Sequence, residues 1–299
     1  MINTLAVSNY RSLLNLVIPL GSLNVITGAN ASGKSNLYRA LRLLAETAQG
    51  GVVNSLAREG GLSSTFWAGP EIVGKGMREG DVRIQGGPRK NVNRLRLGFA
   101  SEDFSYSISL GLPPPPDKNN PDPTAFRFDP EIKRECIWAG HAYRPASLLV
   151  DRDRAVIKVG SNRSWEVIGQ HTPTFESLFS RFADPVRTPE VVTLREQIRS
   201  WRFYDHFRTD AEAPARWPQL GTRTPVLHHD GRDLAAALQT IIEIGDPDSL
   251  NEAVADAFPG AHLQVDTDEG RFTVQLFQHG LLRPLSGAEL SDGTLRYLL

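Results

Sequence analysis

The chain has 299 residues, with 33 Lys plus Arg against 34 Asp plus Glu and a formal net charge of -1; it is long enough for a large core in two lobes and has no global field to draw it to nucleic acid or a membrane surface. One cysteine, Cys136, excludes an internal disulfide framework and fits a reducing compartment, and no stretch approaches the ~20 apolar residues of a membrane helix. The opening Met1-Ile-Asn-Thr-Leu5 lacks a charged region followed by an apolar block, so a cytoplasmic globular protein without a signal peptide is expected.

Strand-like alternation marks residues 4–7, 15–19 and 23–26, with turn signals at Ser8-Asn9 and Gly21-Ser22 between them. This meander leads directly into Gly28-Ala-Asn-Ala-Ser-Gly33-Lys34-Ser35, the spacing of a phosphate-binding P-loop between a strand and a helix. Glycines at both ends let the backbone curl so that successive N–H groups point inward at a polyphosphate, and the following helix adds its positive end. Lys34 is then expected to reach the β- and γ-phosphates and the Ser35 hydroxyl to hold Mg2+. The helix is predicted over residues 33–47, with Leu37, Leu41 and Leu44 on one face, and Gln49-Gly50-Gly51 ends it. From residue 52 to 70 the pattern is mixed, broken by Gly60-Gly61 before Phe66-Trp67.

Residues 94–100, 104–112, 132–138 and 155–159 carry strand signals joined by hairpin-like connections, which predicts a largely antiparallel sheet. Pro113-Pro-Pro-Pro116 and the polar, proline-rich residues to 123 form neither sheet nor helix and read as an exposed loop. Between Glu71 and Arg96 stand seven Lys or Arg against three acids, a local basic excess that suits either a solvated glycine-rich loop or a phosphate backbone. Cys136, flanked by Glu135 and Ile137, reads as a core filler. Helices are predicted over 175–182, 189–199, 234–242 and 250–258, with Leu234, Leu238 and Ile241 lining one face of the third. His228-His229-Asp230 precedes that helix and reads as a capped loop rather than a metal site. A hairpin follows, 263–266 and 271–277, around Asp268-Glu-Gly270. The pattern divides the chain into a β-meander and P-loop lobe (1–70), a mostly antiparallel β insertion (71–170), a helical lobe (171–260) and a hairpin with a final helix (261–299).

That final helix begins at Glu289-Leu290-Ser291-Asp292-Gly293-Thr294-Leu295-Arg296. Locally, Ser291 is an N-cap, Asp292 complements the helix dipole, and Leu290 with Leu295 can form a hydrophobic staple. Free N–H groups and a hydroxyl at the same place make a second anion site. Together, Asn9-Tyr10-Arg11-Ser12, the loop from Gly28 to Asn36, and Leu290-Ser-Asp-Gly-Thr-Leu-Arg296 resemble the RecF/SMC-type AAA ATPases of the ABC class, closest to bacterial members known only as predicted ATPases. The likeness runs through the chain in order, including Trp201-Arg-Phe-Tyr204 and His229-Asp-Gly231.

The resemblance implies an α/β P-loop NTPase with a mixed sheet, an antiparallel β-subdomain and a helical lobe. It further implies two heads, normally a homodimer, that sandwich two ATP molecules. Gly28, Asn30, Gly33, Lys34, Ser35 and Asn36 would cradle phosphates and Mg2+ in cis, Arg11 would lie close to the nucleotide, and Ser291 and Gly293 would reach the γ-phosphate in trans. DNA is a partner by resemblance only, with DNA repair or defence as the process; no helix-turn-helix, zinc finger, sustained heptad or membrane segment accompanies it. The family pattern continues from the signature helix into an apolar strand ending in Asp-Glu, whereas this sequence ends at Tyr297-Leu-Leu299, so a truncated ATPase lacking its final strands and turning over little ATP is expected. The earlier lookalike Leu148-Leu-Val-Asp151 reads as part of a hairpin. Two functions stay open: an ATP-hydrolysing head, and a module that binds ATP without hydrolysis and uses the bound state to dock a protein partner. A small-molecule P-loop kinase fits the antiparallel segments and Leu290 to Arg296 less well.

Overall fold

A computed structural model describes residues 1–70, 72, 74–83, 93–114, 125–161, 164–205 and 207–299. The chain forms two compact units, Met1–Trp201 and Arg202–Leu299.

The first unit is built on one sheet. β1 (Ile2–Tyr10) and β2 (Leu13–Pro19) form a hairpin, with Val7 opposite Leu16, and β1 takes β3 (Leu95–Ser101) on its other edge. β4 (Phe104–Gly111), β5 (Glu131–Ala139), β6 (Leu148–Asp153), β7 (Val156–Ser161) and β8 (Ser164–Gly169) follow as a meander, giving the order β2-β1-β3-β4-β5-β6-β7-β8. Among the described residues every strand pair is antiparallel, so the expected mixed sheet is not what forms here. The reason lies in the connections, which are hairpins apart from the one between β2 and β3.

Between β2 and β3 the chain leaves the sheet to make α1 (Lys34–Ala48), α2 (Val52–Arg58), α3 (Leu62–Thr65) and α4 (Lys75–Glu79). α1 buries Leu37, Ala40, Leu43 and Leu44 against β1, β3 and the later helices α5 (Leu178–Arg181) and α6 (Pro189–Arg199). Leu41, expected on that stripe, is only half buried, and Leu43 takes the core position. α6 matches its predicted span and buries Val191, Leu194 and Ile198 at helical spacing. The helix predicted over 175–182 is confined to α5, because Ser177 caps it by accepting from the Phe179 N–H at 3.3 Å. A fully buried ion pair ties this end to the sheet: Glu135 accepts from Arg152 (3.1 Å), Tyr106 (2.7 Å), Ser177 (2.5 Å) and the Leu178 N–H (3.0 Å).

One predicted strand fails. Residues 23–26 take no ladder bonds, and Leu23, Val25 and Ile26 are 84%, 77% and 50% exposed. An extended segment becomes a strand only when a neighbour pairs its backbone groups, and among the described residues no strand pairs these, although the outer edge of β2 is open. α2 and β8 were not foreseen. Gly50-Gly51 reads as a stop yet only separates two helices, and β8 is a short edge strand whose alternating Ser-Trp-Glu-Val stays exposed on both faces. Pro113 and Pro114 are irregular as expected; Pro115, Pro116, Arg89 and Lys90 lie outside the described residues.

The second unit packs α7 (Leu234–Ile244), α8 (Pro247–Ala257) and α9 (Asp292–Leu298) on a small antiparallel sheet of β9 (Gln219–Leu220), β10 (His262–Asp266), β11 (Arg271–Phe277) and β12 (Leu285–Ser286). Its core joins Leu234, Leu238, Val254, Leu263, Leu276 and Leu295. α8 starts three residues before its predicted position, where Asp246 caps it by accepting from the Ser249 N–H at 3.0 Å. No helix among the described residues is long and apolar enough to cross a membrane.

Candidate nucleotide site

The P-loop lies in the first unit, after the hairpin of β1 and β2 and before α1. Gly28 (φ 154°) and Gly33 (φ 101°) both have positive φ, where L side chains are strained. Space restricts Gly33 as well: a Cβ there would sit 2.9 Å from the Ser12 hydroxyl and 3.2 Å from Leu13 Cδ2. Ser12 also accepts a bond from Asn36 Nδ2 at 2.8 Å, so the β1–β2 turn supports the loop and the first turn of the helix together.

α1 begins without a side-chain cap and without an acidic residue in its first turn. Its leading N–H groups therefore lack the partner that an N-cap side chain supplies, which is the arrangement an anion completes. Lys34 folds over the loop and donates to the carbonyls of Gly28 (2.6 Å) and Ala29 (2.7 Å). Its ammonium is thus held above the cradle, where a phosphate would offer a charged partner in place of two neutral ones. Asn30 and Ser35 are exposed. These residues fit a polyphosphate with a divalent cation: Gly28 to Asn36 for the phosphates, the Ser35 hydroxyl for Mg2+.

Arg11 is engaged by its own lobe. Its guanidinium donates to Glu59 at 2.6 and 3.0 Å, Tyr10 donates to the same carboxylate, and the backbone N–H of Arg11 bonds the Thr65 carbonyl at 2.7 Å. Arg11 thereby fixes the turn that carries Ser12.

Ser291 and Gly293 lie in the second unit at the start of α9, both exposed. Ser291 caps the helix, accepting from the Thr294 N–H at 3.1 Å, and Leu290 and Leu295 are buried in the unit's core, as the local pattern predicts. Sequence reasoning missed the residue that holds this segment. Arg216, 6% exposed, donates to the carbonyls of Leu290 (2.6 Å), Gly287 (3.2 Å) and Thr209 (2.6 Å), and to the Asp292 carboxylate (2.7 Å). It stands 76 residues from Asp292, and no motif marks it.

Asp151 lies in β6, part of a hairpin with β7, where it accepts from Arg134 (3.0 Å) and Cys136 (3.2 Å). Burial, then the charge of Asp151, pushes the Cys136 thiol up to about 12, so it stays protonated and inert. His228, His229 and Asp230 do gather their ligand atoms within 4.8 Å. His228, however, uses both ring nitrogens, Nδ1 with Asp230 at 2.7 Å and Nε2 with the Arg232 guanidinium at 2.8 Å, and a cation at that distance disfavours a metal.

No curated protein matches the chain. A family model described as "AAA domain, putative AbiEii toxin, Type IV TA system" matches residues 23–299, from just before the P-loop through α9. With the loop geometry of Gly28 to Asn36, that match places the chain in this AAA-domain family of P-loop, nucleotide-binding proteins.

Proposed function

We propose that the chain is an ATP·Mg2+-binding head that closes on nucleotide against a second copy of itself. Gly28, Asn30, Gly33, Lys34 and Asn36 hold the phosphates, Ser35 holds Mg2+, and Ser291 and Gly293 of the second copy reach the γ-phosphate. Bound Mg2+ neutralises phosphate charge and orients the terminal phosphoryl group. Arg11 serves this site by fixing the turn that supports Gly33. The observation that carries the reading is the uncapped start of α1 beneath a lysine held over the loop carbonyls. Family membership supports the nucleotide-binding, ATPase-like part of it.

Hydrolysis and docking without hydrolysis remain distinct readings, and one observation favours the second. The sequence candidate for a water-activating acid, Asp151, is tied to Arg134 and Cys136 in a hairpin. Sedimentation of the full chain with and without ATP·Mg2+, together with phosphate release, tests the proposal. An ATP-dependent dimer lost in Ser291→Arg is expected. A particle that stays monomeric with saturating ATP would overturn the sandwich, and phosphate release abolished by Lys34→Ala would overturn the non-hydrolysing reading.

A further inference from the structure

The first unit contains a cavity of about 1190 Å3 that the nucleotide reading does not use. Cationic side chains from four separate segments line it: Arg94 just before β3, Arg127 ahead of β5, Lys133 in β5 and Arg154 at the β6–β7 turn. No carboxylate stands among the described lining residues. Lys133 pairs with Glu131, but the guanidinium groups of Arg94, Arg127 and Arg154 form no ion pair among the described residues. Burial, then the charges of Arg154 and Arg96, lowers the Arg94 pKa, and the Glu131 carboxylate opposes the shift.

The backbone that carries two of the cations, Arg94 and Arg154, is held in place. The Arg94 carbonyl accepts from Asn9 Nδ2 at 3.0 Å. Arg154 adopts φ 51°, a left-handed conformation rare for a side chain of this size, and is held there on both sides: its N–H donates to the Lys133 carbonyl (3.2 Å), and its own carbonyl accepts from the fully buried Arg152 (2.8 Å). Flat aromatic walls complete the cavity. The Trp67 indole N–H donates to the Pro70 carbonyl at 2.8 Å and its backbone N–H to Asn9 Oδ1 at 3.2 Å, while Phe128 lies exposed under the Arg127 guanidinium at 4.8 Å.

Guanidinium groups match phosphate in charge and in fork geometry, and aromatic faces stack on nucleobases whatever their identity. We propose that this cavity binds a nucleotide through its phosphate and ring, supplied free or as part of a single strand. Its volume lies just above the ~300–1,000 Å3 of ordinary small-molecule pockets, which leaves room for a nucleotide. The site is independent of the P-loop and stands or falls separately from the ATP reading.

The test uses the full chain with Lys34→Ala, so that the P-loop is disabled. The probes are a 5′-phosphorylated, 3′-fluorescein oligothymidylate of about 12 nucleotides, read by anisotropy, and AMP as competitor. Binding weakened about tenfold or more by Arg127→Glu, and further by Arg94→Glu with Arg154→Glu, is expected. Displacement by AMP identifies a free nucleotide as sufficient, and strand binding that AMP does not displace identifies the strand; both uphold the site. Absence of binding by either probe up to about 1 mM, or equal affinity in Arg127→Glu, overturns it. Arg127 is exposed, so its variant is informative even if the double variant fails to fold.

Discussion

Replacing Arg216 with Met keeps a long side chain but removes every donor. The guanidinium bonds six acceptors, and two of them, the carbonyls of Gly287 and Leu290, are buried together with it. Each buried acceptor left without a donor costs about 1–3 kcal/mol, while the more exposed Thr209, Asp210 and Asp292 can turn to water. Relief from burying a charge offsets part of that, leaving a net loss of about 2–4 kcal/mol. For a unit of roughly 100 residues this lowers the midpoint of thermal unfolding by about 10 °C or more. Arg216→Lys keeps the charge without the fork and should fall between the two. Calorimetry of the full chain measures the midpoint, and hydrogen exchange over residues 287–299 locates the change. Unfolding within about 0.5 kcal/mol of the parent, with unchanged exchange in that segment, would refute the role given to Arg216.

In the first unit, Glu135→Ala leaves the Arg152 guanidinium buried without its counter-charge and should cost about 3–5 kcal/mol in urea unfolding. Changing both residues to apolar ones should recover only part of this, because Arg152 also serves the carbonyls of Pro173, Arg154 and Glu176. A double variant as stable as the parent would contradict that count. Cys136 should resist thiol reagents near pH 8 in the folded chain and react at once in denaturant. Its folded pKa, about 12, lies above the ordinary thiol value of about 8.5, so the unfolded chain loses its proton first. Stability from this group is present below about pH 8.5 and declines as pH rises toward 12, a slope that Cys136→Ser should remove.

The parts of the fold set by local pattern were readable from the sequence. α1, α6 and the strands from β3 to β5 follow apolar periodicity, and the P-loop follows its spacing. What depended on partners distant in the chain was not. Residues 23–26 have the composition of a buried strand, but composition cannot say whether a neighbour exists to pair them. Arg216 lacks any motif, since its six acceptors come from two segments far apart in sequence. The cationic cavity shares this character. Of the described residues in the basic stretch before β3, Arg94 alone lines it, and the other three cations come from separate turns and strands. The turn after β1 falls at Arg11-Ser12 and not at the Ser8-Asn9 signal, and the partner that fixes Arg11 there, Glu59 at the end of α2, belongs to a helix the sequence does not announce.

Titration calorimetry of the full chain with ATP in the presence of Mg2+, set beside Lys34→Ala, shows whether the loop from Gly28 to Asn36 holds the nucleotide. Charge-assisted bonds from the lysine to phosphate are worth about 1.5–3 kcal/mol each, so the substitution should weaken binding by about a hundredfold. Gly33→Ala, which forces a Cβ against the Ser12 hydroxyl, should weaken it as well. Saturable binding in the parent that is lost in Lys34→Ala is the expected result. Equal heats and affinities in parent and variant, or no binding by the parent at millimolar ATP, would contradict the account.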